Sequence, residues 1–335
     1  MATFRCRAIA LAILICAVAV PASASAPVLV RFSADDFWLN LHHFLYVLGR
    51  AQAGMRDAAR PEVAGAPIEQ EKGLASLTPS EQSAWRDAVT FYANGPSKQD
   101  TVFDDELVAV TGALARIGDG DALGDAKGVP AAIAETLRRA APVYRKAWWP
   151  SHQRANHAWV VDTQKLVDQY GADIVAYLTR IYQLPWPADG YPVHVCAYTN
   201  WAGAYSTTGP LLVIASVDET GRGPAALETV FHEASHQWDD AILAKLEEIG
   251  KSMGKRVPPG LTHAMIWMTA GEAVRRLIPG YVPLAEAGGL WKRGANPILR
   301  PWLDAAWRPY LDGRGTRDDA LKAVMTLAQE RNGRR

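Results

Sequence analysis

Phe231-His232-Glu233-Ala234-Ser235-His236-Gln237-Trp238-Asp239-Asp240 contains the pattern H-E-x-x-H. On a helix, four residues at about 100° each put His236 about 40° round from His232 and about 6 Å along the axis, so two imidazoles on one face can share one metal ion. Glu233 falls to the side, near such an ion without ligating it, where a carboxylate can take a proton from metal-activated water. Coincidence is the alternative, but a shuffled chain of this composition would carry the pattern only about once in a hundred. The flanks predict a helix from Pro224, which suits a first helical position, to Gly254, which suits a stop. Leu227, Phe231, Ala234, Trp238, Ala241 and Ile242 form one apolar stripe, with the two histidines on the opposite face.

A catalytic zinc site keeps water in one position and so needs a third protein ligand. Asp240 continues the histidine stripe but lies about 12 Å along the axis from His232, so the ligand must come from another segment. Glu272 is the expected source. It lies in a helix that Thr262 can cap and Pro279-Gly280 ends, and from Ala264 to Val274 it is the only ionisable residue. A buried lone carboxylate needs a counter-charge, which zinc would supply. The alternative is an i,i+4 pair with Arg276 at a partly exposed helix end. Gly271 costs about 1 kcal/mol in mid-helix and so points to close approach of a neighbouring backbone, naturally that of the histidine-bearing helix.

On His232, Glu233, His236 and Glu272, the chain resembles the gluzincin group of zinc metallopeptidases over roughly residues 190 to 281. The Gly-x-Met-Glu-Asn signature of one aminopeptidase group is missing upstream, and Glu272 stands in Gly-Glu-Ala-Val, so no family within the group is indicated. The resemblance implies an α+β, mostly helical zincin-like fold with a small mixed sheet packed on the motif helix. It also implies one zinc ion per chain, a peptide or protein substrate, and Glu233 as general base. Such enzymes add a Tyr or His donor for the tetrahedral oxyanion. Tyr281, just after the Glu272 helix, is the first choice and His263 the second, although His263 is about 180° round the helix from Glu272.

Arg5 and Arg7, the apolar run Ala8 to Val20 and Pro21-Ala-Ser-Ala-Ser-Ala26 read as a secretory signal peptide, with cleavage expected after Ala24. The run is too short to span a membrane comfortably. Its removal leaves 33 basic against 35 acidic residues, which points to neither nucleic acid nor an anionic membrane as partner. An exported, periplasmic or extracellular protein follows. Cys196 is then the lone cysteine, so a packed core rather than disulfides must hold the fold.

The chain divides into a signal peptide (1–24), a largely helical region (25–185), the metal-site core (186–280) and a C-terminal helical region (281–335). Val28 to Phe32 reads as a strand, Ala34 to Arg50 as a helix and 61 to 73 as a loop, before the capping signal Thr78-Pro79-Ser80-Glu81 opens another helix. Helices are expected over about 104–117, 130–148 and 150–183, with Trp149, His152, Asn156 and Trp159 in one packing sector. The glycine and aspartate stretch 118–128 reads as a turn. Pro192 to Thr199 and Leu211 to Ser216 read as strands, and Trp201 to Gly209 between them as a sheet edge that could hold extended substrate. The remaining histidines, His42, His43, His157 and His194, are expected to be structural. Two other readings of the whole remain: the same fold binding zinc or a partner without turnover, against which an intact Glu233 speaks, and a helical secreted binding protein with a chance motif.

Overall fold

The computed structural model describes residues 27–117, 123–124, 127–207 and 211–330. The stretch expected to be a signal peptide and most of the 118–128 segment expected to be a turn lie outside the described residues. The chain opens with β1 (Val30–Ser33), α1 (Phe37–Gln52), α2 (Pro61–Ala64), α3 (Ala66–Leu74), α4 (Pro79–Asn94), α5 (Asp105–Ala115), α6 (Ala131–Ala147) and α7 (Trp149–Tyr182). Next come β2 (Tyr191–Cys196), β3 (Ala204–Thr207), β4 (Leu211–Ala215), α8 (Pro224–Ser235), α9 (Asp239–Ser252) and α10 (Leu261–Leu277). The chain closes with α11 (Leu284–Ala287), α12 (Asn296–Trp302), α13 (Arg308–Leu311) and α14 (Arg317–Glu330). The expected α+β class, mostly helical with a small mixed sheet, is what forms.

The sheet runs in the order β1-β2-β4-β3, with β1, β2 and β4 parallel and β3 antiparallel at one edge. Its alternating side chains divide the molecule into two apolar layers. Val193, Val195, Leu212 and Ile214 face α7, α8, α10 and the C-terminal helices. Cys196 and Val213 face α1, α4 and α6. The N-terminal region therefore supplies a strand to the sheet and, through α7, one wall of the metal-site layer. Asn40 of α1 stitches the layers together: its amide donates to Val195 O at 3.4 Å and accepts from Ala197 N at 2.9 Å.

The Thr78 capping box forms as expected, with Thr78 Oγ1 accepting from Glu81 N and the Glu81 carboxylate accepting from Thr78 N. The α7 sector packs: Trp149 meets Phe37, His152 bonds Tyr144 and Glu69, and Trp159 donates to Gly221 O. His42 and His43 are buried in the same layer, and His157 and His194 pair with Asp35 and Asp36. The segment 61–73, expected as a loop, is instead mostly helical in α2 and α3. Packing outweighs its polar composition, because Ala66 and Leu74 are buried and Gly73 lies so close to Trp148 that a Cβ would come within 2.3 Å of its ring. Thr262 is not a cap; Gly260 holds the N-cap position of α10 at φ +77°, a left-handed conformation suited to glycine.

The expected continuous motif helix also breaks. A 3-10 turn over His236–Trp238 separates α8 from α9. Ser235 Oγ donates back to Phe231 O at 2.7 Å, a bond that bends helices, and the Gln237 amide captures Ala234 O at 2.7 Å. Trp238 is thereby turned into the core against Tyr182 and Trp186. Among the described residues no helix is long and apolar enough to cross a membrane.

Candidate metal centre

α8 and α10 pack antiparallel. His236 lies against His263, His232 against Trp267, and Glu228 against Gly271, so a step of four residues up one helix matches four down the other. This register brings His232, His236 and His263 together. Their ring centroids are 5.1, 5.2 and 5.3 Å apart, a nearly equilateral triangle, and one nitrogen from each lies within 4.8 Å of the others. Three nitrogens around a tetrahedral zinc are about 3.3 Å apart, so small side-chain rotations close the group onto an ion.

Ligation needs neutral imidazole, a form that burial favours at two of the three histidines, His232 and His263. Among the described residues neither ring nitrogen of buried His232 has a hydrogen-bond partner, an expensive condition that a metal would relieve. Burial, with His236 and His263 nearby, pushes its pKa well below the ordinary histidine value. Burial of the His263 ring, reinforced by His236, lowers its pKa to about 4, although the residue as a whole is exposed. Burial would lower His236 as well, but the hydrogen bond to Asp239 and the charge of Glu233 raise it. Asp239 Oδ2 accepts from His236 Nδ1 at 2.6 Å, which fixes the tautomer and leaves Nε2 free for a ligand bond. The 3-10 turn explains the pair, because residues three apart eclipse in that geometry.

Glu233 stands beside the triangle. Its Oε1 is 3.8 Å from His232 Nε2, and its Oε2 accepts from Ser206 Oγ at 3.0 Å. Ser206 also bonds the Glu233 carbonyl at 2.8 Å, so edge strand β3 holds both ends of this residue. Burial raises the Glu233 pKa, with His236 and Ser206 opposing the shift.

Glu272 does not belong to the histidine group. Arg275 donates to both of its oxygens, at 2.9 and 2.7 Å, while Arg276 and Arg308 add contacts at 3.0 and 3.5 Å. The buried carboxylate does have the counter-charge its burial demands, but arginines rather than a metal provide it. The α10 face that meets α8 carries His263, Trp267 and Gly271, and Glu272 lies about 180° round from His263. Tyr281, the expected oxyanion donor, instead donates its hydroxyl to Glu228 Oε2 at 2.8 Å. His263, the second choice for that role, occupies the place expected of Glu272. Gly271 marks a close approach, but of side chains rather than of the expected α8 backbone: an added Cβ would lie 2.7 Å from Pro283 Cβ and 3.2 Å from Glu228 Oε1.

Four residues that shape the site were not singled out from the sequence. Asp239 and Glu228 carried a signal, lying three residues after His236 and four before His232. Trp267 did too, four residues after His263. Ser206 carried none, because only the sheet brings it to α8. Comparison with known protein families, with curated proteins and with solved structures gives no match.

Proposed function

We propose that this chain is an exported zinc-dependent peptidase in which His232, His236 and His263 hold the ion through their ring nitrogens. The observation that carries the reading is the three-histidine triangle, with both nitrogens of buried His232 unpartnered among the described residues, directly beside a buried carboxylate. Zinc bound there would polarise a carbonyl and make water acidic enough to yield its proton near neutral pH. Glu233 receives that proton on Oε1 while Ser206 fixes Oε2, and its burial-raised pKa suits a group that must both accept and release a proton. Asp239 orients His236, and Trp267 packs on the His232 ring at 3.7 Å.

Edge strand β3 fits a peptide substrate. Among the described residues it pairs only with β4, so its outer main chain can receive an extended segment, and Ser206 links that edge to Glu233. The antiparallel edge above the motif helix supports the zincin-like reading of the fold. The test is Glu233→Gln, assayed on a mixed peptide library by mass spectrometry beside zinc analysis. It should retain one zinc per chain and lose cleavage by about a hundredfold or more. Undiminished cleavage by the variant would remove Glu233 as base, and no cleavage by zinc-loaded wild type would leave a binding protein.

A further inference from the structure

A cavity of about 820 Å³ opens between α9 and the chain from Gly254 to Thr262. Its lining begins one helical turn from Asp239, at Leu243, and ends at Thr262, the neighbour of His263 in sequence. Asp239, Leu243, Glu247 and Lys251 follow one another at four-residue intervals along one face of α9, and Asp239 holds His236. On the opposite wall, Gly260 and Thr262 lead directly to His263. That wall is held in place. Lys255 N donates to Gly250 O at 2.8 Å, Lys255 Nζ donates to Met325 O at 3.1 Å, and Pro258-Pro259 stiffens the approach to α10.

The lining is basic. Lys251, Lys255 and Arg256 stand against the single carboxylate of Glu247. Lys251, Arg256 and Glu247 have no ion-pair or hydrogen-bond partner among the described residues, and the Lys255 ammonium meets only a neutral carbonyl. Such uncommitted cations contrast with Arg275, Arg276, Arg300 and Arg308 on the other side of α10, all of which are paired with carboxylates. Leu243, Val257, Pro258 and Pro259 add apolar surface along which a peptide stem can lie.

We propose that this groove is the specificity subsite of the peptidase and takes an acidic side chain, Asp or Glu, of a peptide whose reacting carbonyl lies at the histidine triangle. The proposal rests on the peptidase reading. Its physical basis is an excess of positive charge in a concave, partly apolar wall, which attracts a carboxylate and repels a basic side chain. Arg256 can engage the carboxylate through two N–H groups at once.

The test uses the zinc-loaded mature chain carrying Glu233→Gln, with fluorescence anisotropy of short labelled peptides that differ only in having Glu, Gln or Lys at the same positions. Each is made with a free and an amidated C-terminus. The Glu peptide should bind about tenfold more tightly than the Gln peptide, with the Lys peptide weakest and the gap narrowing as salt rises. Adding Lys251→Glu and Arg256→Glu should reverse the order while zinc content stays the same. Should that protein lose zinc or fail to fold, Lys251→Gln with Arg256→Gln replaces it and should abolish the preference. Equal affinities for the three peptides, or a Glu preference that survives either double variant, would overturn the proposal. A preference that follows the free C-terminus rather than the side chain would also overturn it. Failure of the peptidase reading shows separately, as absence of cleavage by zinc-loaded wild type.

Discussion

At the scale of single residues, the site divides into what one helix can announce and what two helices must assemble. His232, Glu233 and His236 were legible because they lie within five residues, where spacing alone fixes a shared face. The third member was not. Buried Glu272 does need a counter-charge, but Arg275 and Arg276 on its own helix and Arg308 from a distant one supply it. Asp239 is the residue whose role is most open to a direct check. Asp239→Asn keeps the shape and loses the charge that holds the His236 Nδ1 proton. Zinc affinity, measured by competition with a chelator, should fall by about ten- to a hundredfold, the usual effect of removing a carboxylate behind a metal-bound histidine. Unchanged affinity would mean that the pair is only a helix-turn contact.

Between elements, the contact of α8 with α10 sets the geometry. Gly271 pointed to close packing in the sequence, since a glycine in mid-helix needs a packing reason, but what crowds it is the Pro283 ring and the Glu228 side chain rather than the α8 backbone. Gly271→Ala places a methyl group 2.7 Å from Pro283 Cβ and should destabilise the protein by about 1 to 3 kcal/mol in urea unfolding, despite alanine's better helix propensity. A gain in stability would show that Pro283 and Glu228 can yield at no cost. The same interface buries Glu228 completely, with Tyr281 O–H and Leu284 N–H donating to it and no cation beside it. Burial raises its pKa from 4.5 to about 7, with Tyr281 and Leu284 opposing the shift. The folded state therefore binds this proton more tightly than the unfolded chain. The resulting stability is fully present below about pH 4.5 and is lost as pH rises through about 7. Glu228→Gln should flatten that part of the stability profile and gain on wild type between pH 5 and 8, read as thermal midpoints. A difference independent of pH would place the Glu228 titration elsewhere. The break between α8 and α9 was not legible, because Ser235 and Gln237 read as ordinary helix residues until their bonds to Phe231 and Ala234 carbonyls are seen.

For the molecule as a whole, the alternation over Pro192 to Thr199 marked a strand and the resemblance implied a sheet packed on the motif helix, whereas the chain packs a helical layer on each face of the sheet. The division at residue 185 was less informative, since β1 and α7 join the layer that carries the histidines. Long-range pairing of Val30 with Tyr191 leaves no local trace in the sequence. The segment 61–73 likewise gave no helical signal, because its helices are held by what packs on them. One contact between distant segments, His263 of α10 with the two histidines of α8 and the turn after it, carries the functional account. The most direct test is the zinc content of purified, dialysed wild type, His263→Ala and Glu272→Gln, measured by mass spectrometry with folding checked by circular dichroism. The account predicts one zinc per chain in wild type and in Glu272→Gln, and essentially none in folded His263→Ala. Zinc retained without His263 and lost without the Glu272 carboxylate would contradict it.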